Sequence, residues 1–99
     1  MGFFSSFFGG TEYSTVEHLL TTETLRHLFW SVEHPNLTHA LKEQVEVAVL
    51  KRRHSDDRIS LRQIHETLLG LEHQHLLNEF NRKDFEKIFK NYFDTHFKG

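Results

Sequence analysis

The sequence predicts an all-α fold, a compact bundle of five to six short helices with a Phe-rich N-terminal tail. Apolar residues recur at helical spacing through most of residues 11–98, and helix-capping patterns precede several of these stretches. Only Gly70 and Pro35 interrupt this region, since the other four glycines lie at the ends of the chain. A chain of 99 residues, 37% apolar and 26% charged, has enough interior for one core. We therefore expect a tail at 1–10 and a single helical domain at 11–99.

Two helices are predicted before the proline. Ser14 and Glu17 have the spacing of a capping box, which predicts that a short first helix begins there. Thr21 or Thr22 caps the second helix, whose apolar stripe consists of Leu25, Leu28, Phe29 and Val32. Trp30 lies off that stripe. We interpret it as covering an adjoining helix, with a surface anchor for a partner as the alternative.

Pro35 ends the second helix, and Asn36 or Thr38 caps a third. Its apolar positions have helical periodicity, although Val45, Val47 and Val49 also alternate as they would in a strand. The length of the pattern, about thirteen residues, favours a helix.

The second half of the chain carries three more helical signals. Ser60 and Gln63 repeat the capping-box spacing and open a helix, which Gly70 is predicted to end in the left-handed conformation. A short amphipathic segment follows at 71–80. Asn81 is then predicted to cap the last helix, with Phe80 and Phe85 forming a hydrophobic staple across its start. The stripe of this helix continues through Ile88, Phe89, Tyr92, Phe93 and Phe97.

The Phe-rich tail is a candidate contact surface. In a helix, Phe3, Phe4, Phe7 and Phe8 would all lie on one side. Burying the four rings contributes roughly 6–12 kcal/mol, which is nearly cancelled by an ordering cost of about 1.5 kcal/mol per residue. The tail is therefore expected to order only against an apolar surface: the domain's own core, a partner protein or a membrane surface. Packing onto the core and disorder are the alternatives to an intermolecular contact.

A basic patch formed by Lys51, Arg52, Arg53, Arg58 and Arg62, together with His54, is the best candidate site for a charged ligand. It lies between two predicted helices, as the backbone-contacting turn of a DNA-binding helix-turn-helix domain does. Asp56 and Asp57 are interleaved with it, and basic residues at a helix end also complement the helix dipole. We favour the structural interpretation over nucleic-acid binding.

The sequence contains no pattern that specifies a reaction or a cofactor. The absence of cysteine excludes disulfides, thiolate metal sites and cysteine nucleophiles, and no phosphate-binding glycine loop is present. Nine histidines raise the question of metal binding, and Glu72 and His75 have the Glu-x-x-His spacing of paired ligands. A dimetal carboxylate site requires two such pairs. We expect no catalytic residues, no metal and no cofactor.

Residues 57–64 resemble the second half of an EF-hand loop leading into its exit helix, with Ile59 at the central apolar position. The resemblance places the calcium-ligand positions on Arg52, His54, Asp56 and Gln63, and the loop glycine on Asp57. Only Asp56 suits calcium. The resemblance therefore implies a helix-loop-helix unit without calcium binding.

These observations predict a non-enzymatic protein–protein interaction module, such as an adaptor, an inhibitor or a small subunit of a larger assembly. Another protein or complex is the expected partner, reached through Phe3, Phe4, Phe7, Phe8 and Trp30, with peripheral membrane contact through residues 3–8 as a further option. Nucleic-acid binding through 51–62 is the alternative function. We expect a cytoplasmic location, at a membrane surface or within a large complex.

Overall fold

The computed structural model describes residues 13–31 and 34–97. Within these residues the chain forms four helices and two short strands. Their order is β1 (Glu17–Leu19), α1 (Thr22–Trp30), α2 (His39–Arg52), β2 (Arg58–Ser60), α3 (Leu61–His73) and α4 (Glu79–His96). The helical class is confirmed. A count of five to six helices is wrong for the described residues, and the small sheet was not predicted.

Three helices begin at residues that the sequence predicted as caps. Thr21 precedes α1 and Thr38 precedes α2, and each side-chain oxygen accepts a hydrogen bond from the backbone N–H three residues later. Ser60 and Gln63 form a complete capping box at the start of α3, with reciprocal distances of 3.1 and 2.9 Å. These bonds satisfy backbone donors that the first helical turn leaves unpaired.

The predicted first helix at Ser14 is wrong, because this segment forms strand β1. The Ser14 hydroxyl accepts from the backbone N–H of Val16, which is two residues later and not three. Only six residues separate Ser14 from the cap at Thr21, too few for a helix with little tertiary support. The segment pairs with β2 instead, in an antiparallel register that places His18 opposite Ile59.

Gly70 does not end a helix. It lies inside α3, which continues to His73 and is capped by Gln74. The left-handed backbone conformation of this turn is found at His75, whose φ is 63°. Tertiary contacts have overridden the local preference of glycine for a helix end.

The last helix begins earlier than predicted. Asn78 is its cap and accepts from the backbone N–H of Asn81 at 2.7 Å, so that Asn81 is the third residue of α4. Phe80 is consequently part of the first turn and is 77% exposed, and it forms no staple with Phe85. Asn78 and Asn81 are both residues that commonly cap a helix. The sequence alone therefore did not show which of the two precedes α4.

Helix α4 provides much of the core. It packs against α3, and its Phe85 and Phe89 rings contact Phe29 of α1 in T-shaped geometry at centroid distances of 5.4 and 5.6 Å. All three rings are fully buried. Near the C-terminal end of α4, Phe97 stacks on His18 of β1 at 4.2 Å. The sheet is thereby held against the helical core.

Candidate functional site

The predicted partner-binding residues are divided between the described and the undescribed parts of the chain. Phe3, Phe4, Phe7 and Phe8 lie outside the described residues. Trp30 lies at the end of α1 and covers α2, as its position off the apolar stripe suggested, and its indole N–H donates to Glu46 Oε1 at 3.5 Å. The side chain is still 39% exposed. No helix in the described residues is both long and apolar enough to span a membrane.

The basic patch is largely neutralised within the protein. Three of its arginines pair with carboxylates at N–O distances of 3.4–3.5 Å; the pairs are Arg52–Glu66, Arg53–Asp57 and Arg58–Asp56. Arg53 also donates to the backbone oxygen of Leu20 at 2.7 Å and so ties the end of α2 to the residue after β1. These contacts support the structural interpretation of the patch.

The EF-hand-like segment forms the expected helix-loop-helix unit, from α2 through β2 into α3. Asp57 occupies the position of the loop glycine and has a φ of 64°, the left-handed conformation that this sharp turn requires. Ile59 is fully buried in β2. The side chain of Gln63, at the last ligand position, accepts from the backbone N–H of Ser60. This loop is organised by contacts within the chain.

Glu72 and His75 do not share a helix face. Helix α3 ends at His73, and the left-handed conformation of His75 takes its side chain out of helical register. The carboxylate of Glu72 is bonded to the guanidinium of Arg82. No group of three or more ligand-type side chains suited to a metal ion is found among the described residues.

A network centred on the buried Glu86 carboxylate connects the N-terminal segment to α3 and α4. Glu86 is 8% exposed and accepts from the Tyr13 hydroxyl at 3.0 Å and from Arg82 at 2.9 Å. His65 also contacts this carboxylate, and its ring stacks on Tyr13 at 3.9 Å. Burial lowers the pKa of Arg82, but the hydrogen bonds that Arg82 donates to Glu72 and Glu86, together with the charges of these carboxylates, outweigh this effect and raise the pKa above its ordinary value. This Glu86 network holds structural elements together.

An open groove lies between α2 and α3, and we refer to it as the α2–α3 groove. Its volume is about 730 Å³. Val47 from α2 and Leu76 from the turn after α3 line it and are 52% and 41% exposed. At Gly70 an added Cβ would meet nothing within 4 Å, so the absence of a side chain there leaves the groove open. Glu43 and Lys51 line it with opposite charges.

This groove was not predicted from the sequence. Val47 lies off the apolar stripe of α2, between the buried Val45 and Val49, and this position was the available signal of an exposed apolar side chain. Recognising it required the relative placement of α2 and α3. No protein-family model, curated protein or solved structure matches this chain.

Proposed function

We propose that this protein is a non-enzymatic interaction module, an adaptor, inhibitor or small subunit, that binds an apolar segment of a partner protein in the α2–α3 groove. The observation that carries the proposal is the pair of exposed side chains Val47 and Leu76 beside the open position at Gly70. Apolar side chains grouped in a concave surface are typical of binding sites, whereas single exposed ones are common anywhere.

An amphipathic helix is the partner segment that fits this shape. The groove runs along α2 from Ala40 to Lys51, which is about 16 Å at a rise of about 1.5 Å per residue. That length accommodates about three turns of a second helix, which would present apolar residues at i, i+3 or i+4, and i+7. The opposite charges of Glu43 and Lys51 favour a partner with a basic residue near the first and an acidic residue near the second.

The Phe-rich segment is proposed as a second contact. Phe3, Phe4, Phe7 and Phe8 gain favourable burial only against an existing apolar surface, and a partner protein supplies one. A membrane surface is the alternative for residues 3–8. A cytoplasmic location, within a complex or at a membrane, is part of the same proposal.

Two observations favour binding over catalysis and over nucleic acid. The ionisable groups of the Glu86 network bond to one another, and those pairs do not line the α2–α3 groove. Arg52, Arg53 and Arg58 are paired with carboxylates, which weakens the basic patch as a phosphate-binding surface.

Partner capture with matched variants tests this function. The tagged full chain is compared with the double variant Val47→Asp/Leu76→Asp, with Phe80→Asp as a control at an exposed phenylalanine outside the groove, and with a deletion of residues 1–10. We expect a specific partner to be lost from the double variant, reduced by the deletion and retained by Phe80→Asp. Equal recovery of every bound protein by the double variant and the wild type would overturn the proposal.

A further inference from the structure

A second cleft lies on the other side of α2, between the end of α1 and the start of α2. Its volume is about 430 Å³, and we refer to it as the Trp30 cleft. The residues that line it include Trp30, His34, Pro35, Leu37, His39 and Lys42. It shares no lining residue with the α2–α3 groove.

Lys42 places a positive charge in this cleft. The residue is only 6% exposed, and its ammonium lies 5.0 Å from the centroid of the Trp30 ring. Within the described residues no carboxylate lies within 4.0 Å of this ammonium, and the nitrogen donates no hydrogen bond. Although most of the Lys42 side chain is buried, its nitrogen is not among the fully buried unpaired atoms, so the ammonium in contact with Trp30 is still accessible from solvent.

The acidic residue one helical turn from Lys42 is already engaged. Glu46 lies one turn after Lys42, and its two carboxylate oxygens accept from Arg26 at 3.0 Å and from the Trp30 indole at 3.5 Å. The first turn of α2 contains no acidic residue that would balance the positive end of the helix dipole. Among the described residues no free carboxylate therefore pairs with Lys42, and its positive charge is open to an external anion.

We propose that the Trp30 cleft binds a carboxylate group of the partner protein, with the Lys42 ammonium as its counter-ion. The cleft has one lysine, close to the Arg26–Glu46 ion pair. A single ammonium matches one negative charge better than it matches a phosphate dianion, which binds best to several cations or to an arginine fork. Trp30, Pro35 and Leu37 provide apolar surface for the carbon atoms next to the carboxylate. The inference depends on the proposed function only in taking the partner to be a protein.

Small carboxylates test the cleft without any partner. Trp30 is the only tryptophan, so its fluorescence reports directly on the site. The full chain is titrated with N-acetylglutamate α-amide as a side-chain carboxylate and with N-acetylleucine as a C-terminal one. N-acetylglutamine amide is the neutral isostere, and inorganic phosphate is the competing anion, all at constant ionic strength.

We expect saturable binding of at least one carboxylate, no response to the neutral isostere and weaker binding of phosphate. The Lys42→Met variant is expected to weaken carboxylate binding about tenfold or more, while Lys87→Met, at an exposed position of α4 that lines neither site, leaves it unchanged. Circular dichroism verifies that both variants fold. If Lys42→Met folds and binds as the wild type does, if the neutral isostere responds equally, or if phosphate binds at least as tightly, the inference is wrong. The wild-type titrations decide the question even if Lys42→Met does not fold.

The two proposals fail separately. Loss of the partner from the Val47→Asp/Leu76→Asp variant, with no carboxylate binding to the wild type, would overturn only the Trp30 cleft. Carboxylate binding that depends on Lys42, with no partner that depends on the groove, would overturn only the proposed use of the α2–α3 groove.

Discussion

The phenol of Tyr13 donates a hydrogen bond of 3.0 Å to Glu86, 73 positions later in the chain. The same carboxylate accepts from Arg82 and is largely buried. The Glu86 network thus attaches the segment that precedes β1 to the surface formed by α3 and α4. It also positions Tyr13, the first of the described residues.

Removing the charge of Glu86 is expected to destabilise the fold. In Glu86→Gln the partly buried Arg82 keeps Glu72 as its only anionic partner among the described residues. We expect a loss of about 3 kcal/mol, the lower end of the range for breaking a buried ion pair. Urea unfolding followed by circular dichroism measures this. Glu79→Gln is the matched control because it removes an exposed pair with Lys83 on the same helix, and it is expected to produce a much smaller loss of stability. Equal effects of the two variants would contradict the structural role of Glu86.

The aromatic core is expected to depend on Phe29. Truncation in Phe29→Ala removes its contacts with Phe85 and Phe89 and leaves a cavity, which costs about 3–5 kcal/mol. Phe80→Ala removes the same atoms from an exposed position and should change the free energy of unfolding by less than about 0.5 kcal/mol. Thermal and urea unfolding of both variants check this difference. A large loss for Phe80→Ala would place that ring in the core and contradict the start of α4 at Glu79.

Gly70→Ala is expected to stabilise the protein. The residue lies within α3, and its new Cβ meets nothing within 4 Å. Alanine restricts the unfolded chain and favours a helix, so we expect a gain of about 0.5–1 kcal/mol. The midpoint of urea unfolding should increase at an unchanged slope. A decrease would indicate that Gly70 ends the helix, as its sequence context first suggested.

The pKa of Glu79 is expected to depend on Lys83. A hydrogen bond from Lys83, together with its charge, lowers the pKa of this exposed carboxyl from its ordinary value of 4.5. Because the folded-state pKa lies below that of the unfolded chain, the stabilisation is present above the unfolded-state pKa and is lost as the pH falls through the folded-state pKa. In Lys83→Met an NMR titration should find this pKa raised toward its ordinary value, whereas Lys87→Met should not change it. An unchanged pKa in Lys83→Met would show that the pair does not form in solution.

The parts of the fold that could be predicted from the sequence are those decided within one helical turn. The caps at Thr21, Thr38 and Ser60 each bond to a backbone N–H three residues away, so their residue types and spacing were sufficient. Strand β1 could not be found in this way, because its hydrogen-bond partners belong to β2, on the far side of two helices. A capping-box spacing at Ser14 was therefore misleading.

In the candidate sites, too, only features that lie within one helix could be predicted from the sequence. Trp30 was identified because a large ring off the apolar stripe is visible in the sequence, but Lys42 was not, since its burial depends on how α1 crosses α2. The α2–α3 groove likewise combines Val47 and Leu76, which lie on separate elements. Periodicity indicates which face of a helix is buried, and it does not specify the gaps between helices.

Binding of the partner in the α2–α3 groove is the central claim. The most direct test is to measure the affinity for the captured partner in a variant whose groove is filled by a side chain. Gly70→Leu places a side chain into the open space of the α2–α3 groove, while Gly70→Ala changes the backbone in the same way and leaves most of that space free. Isothermal titration calorimetry is expected to show binding at least about tenfold weaker for Gly70→Leu than for Gly70→Ala, with both variants folded. Equal dissociation constants for the two variants would contradict binding in the groove.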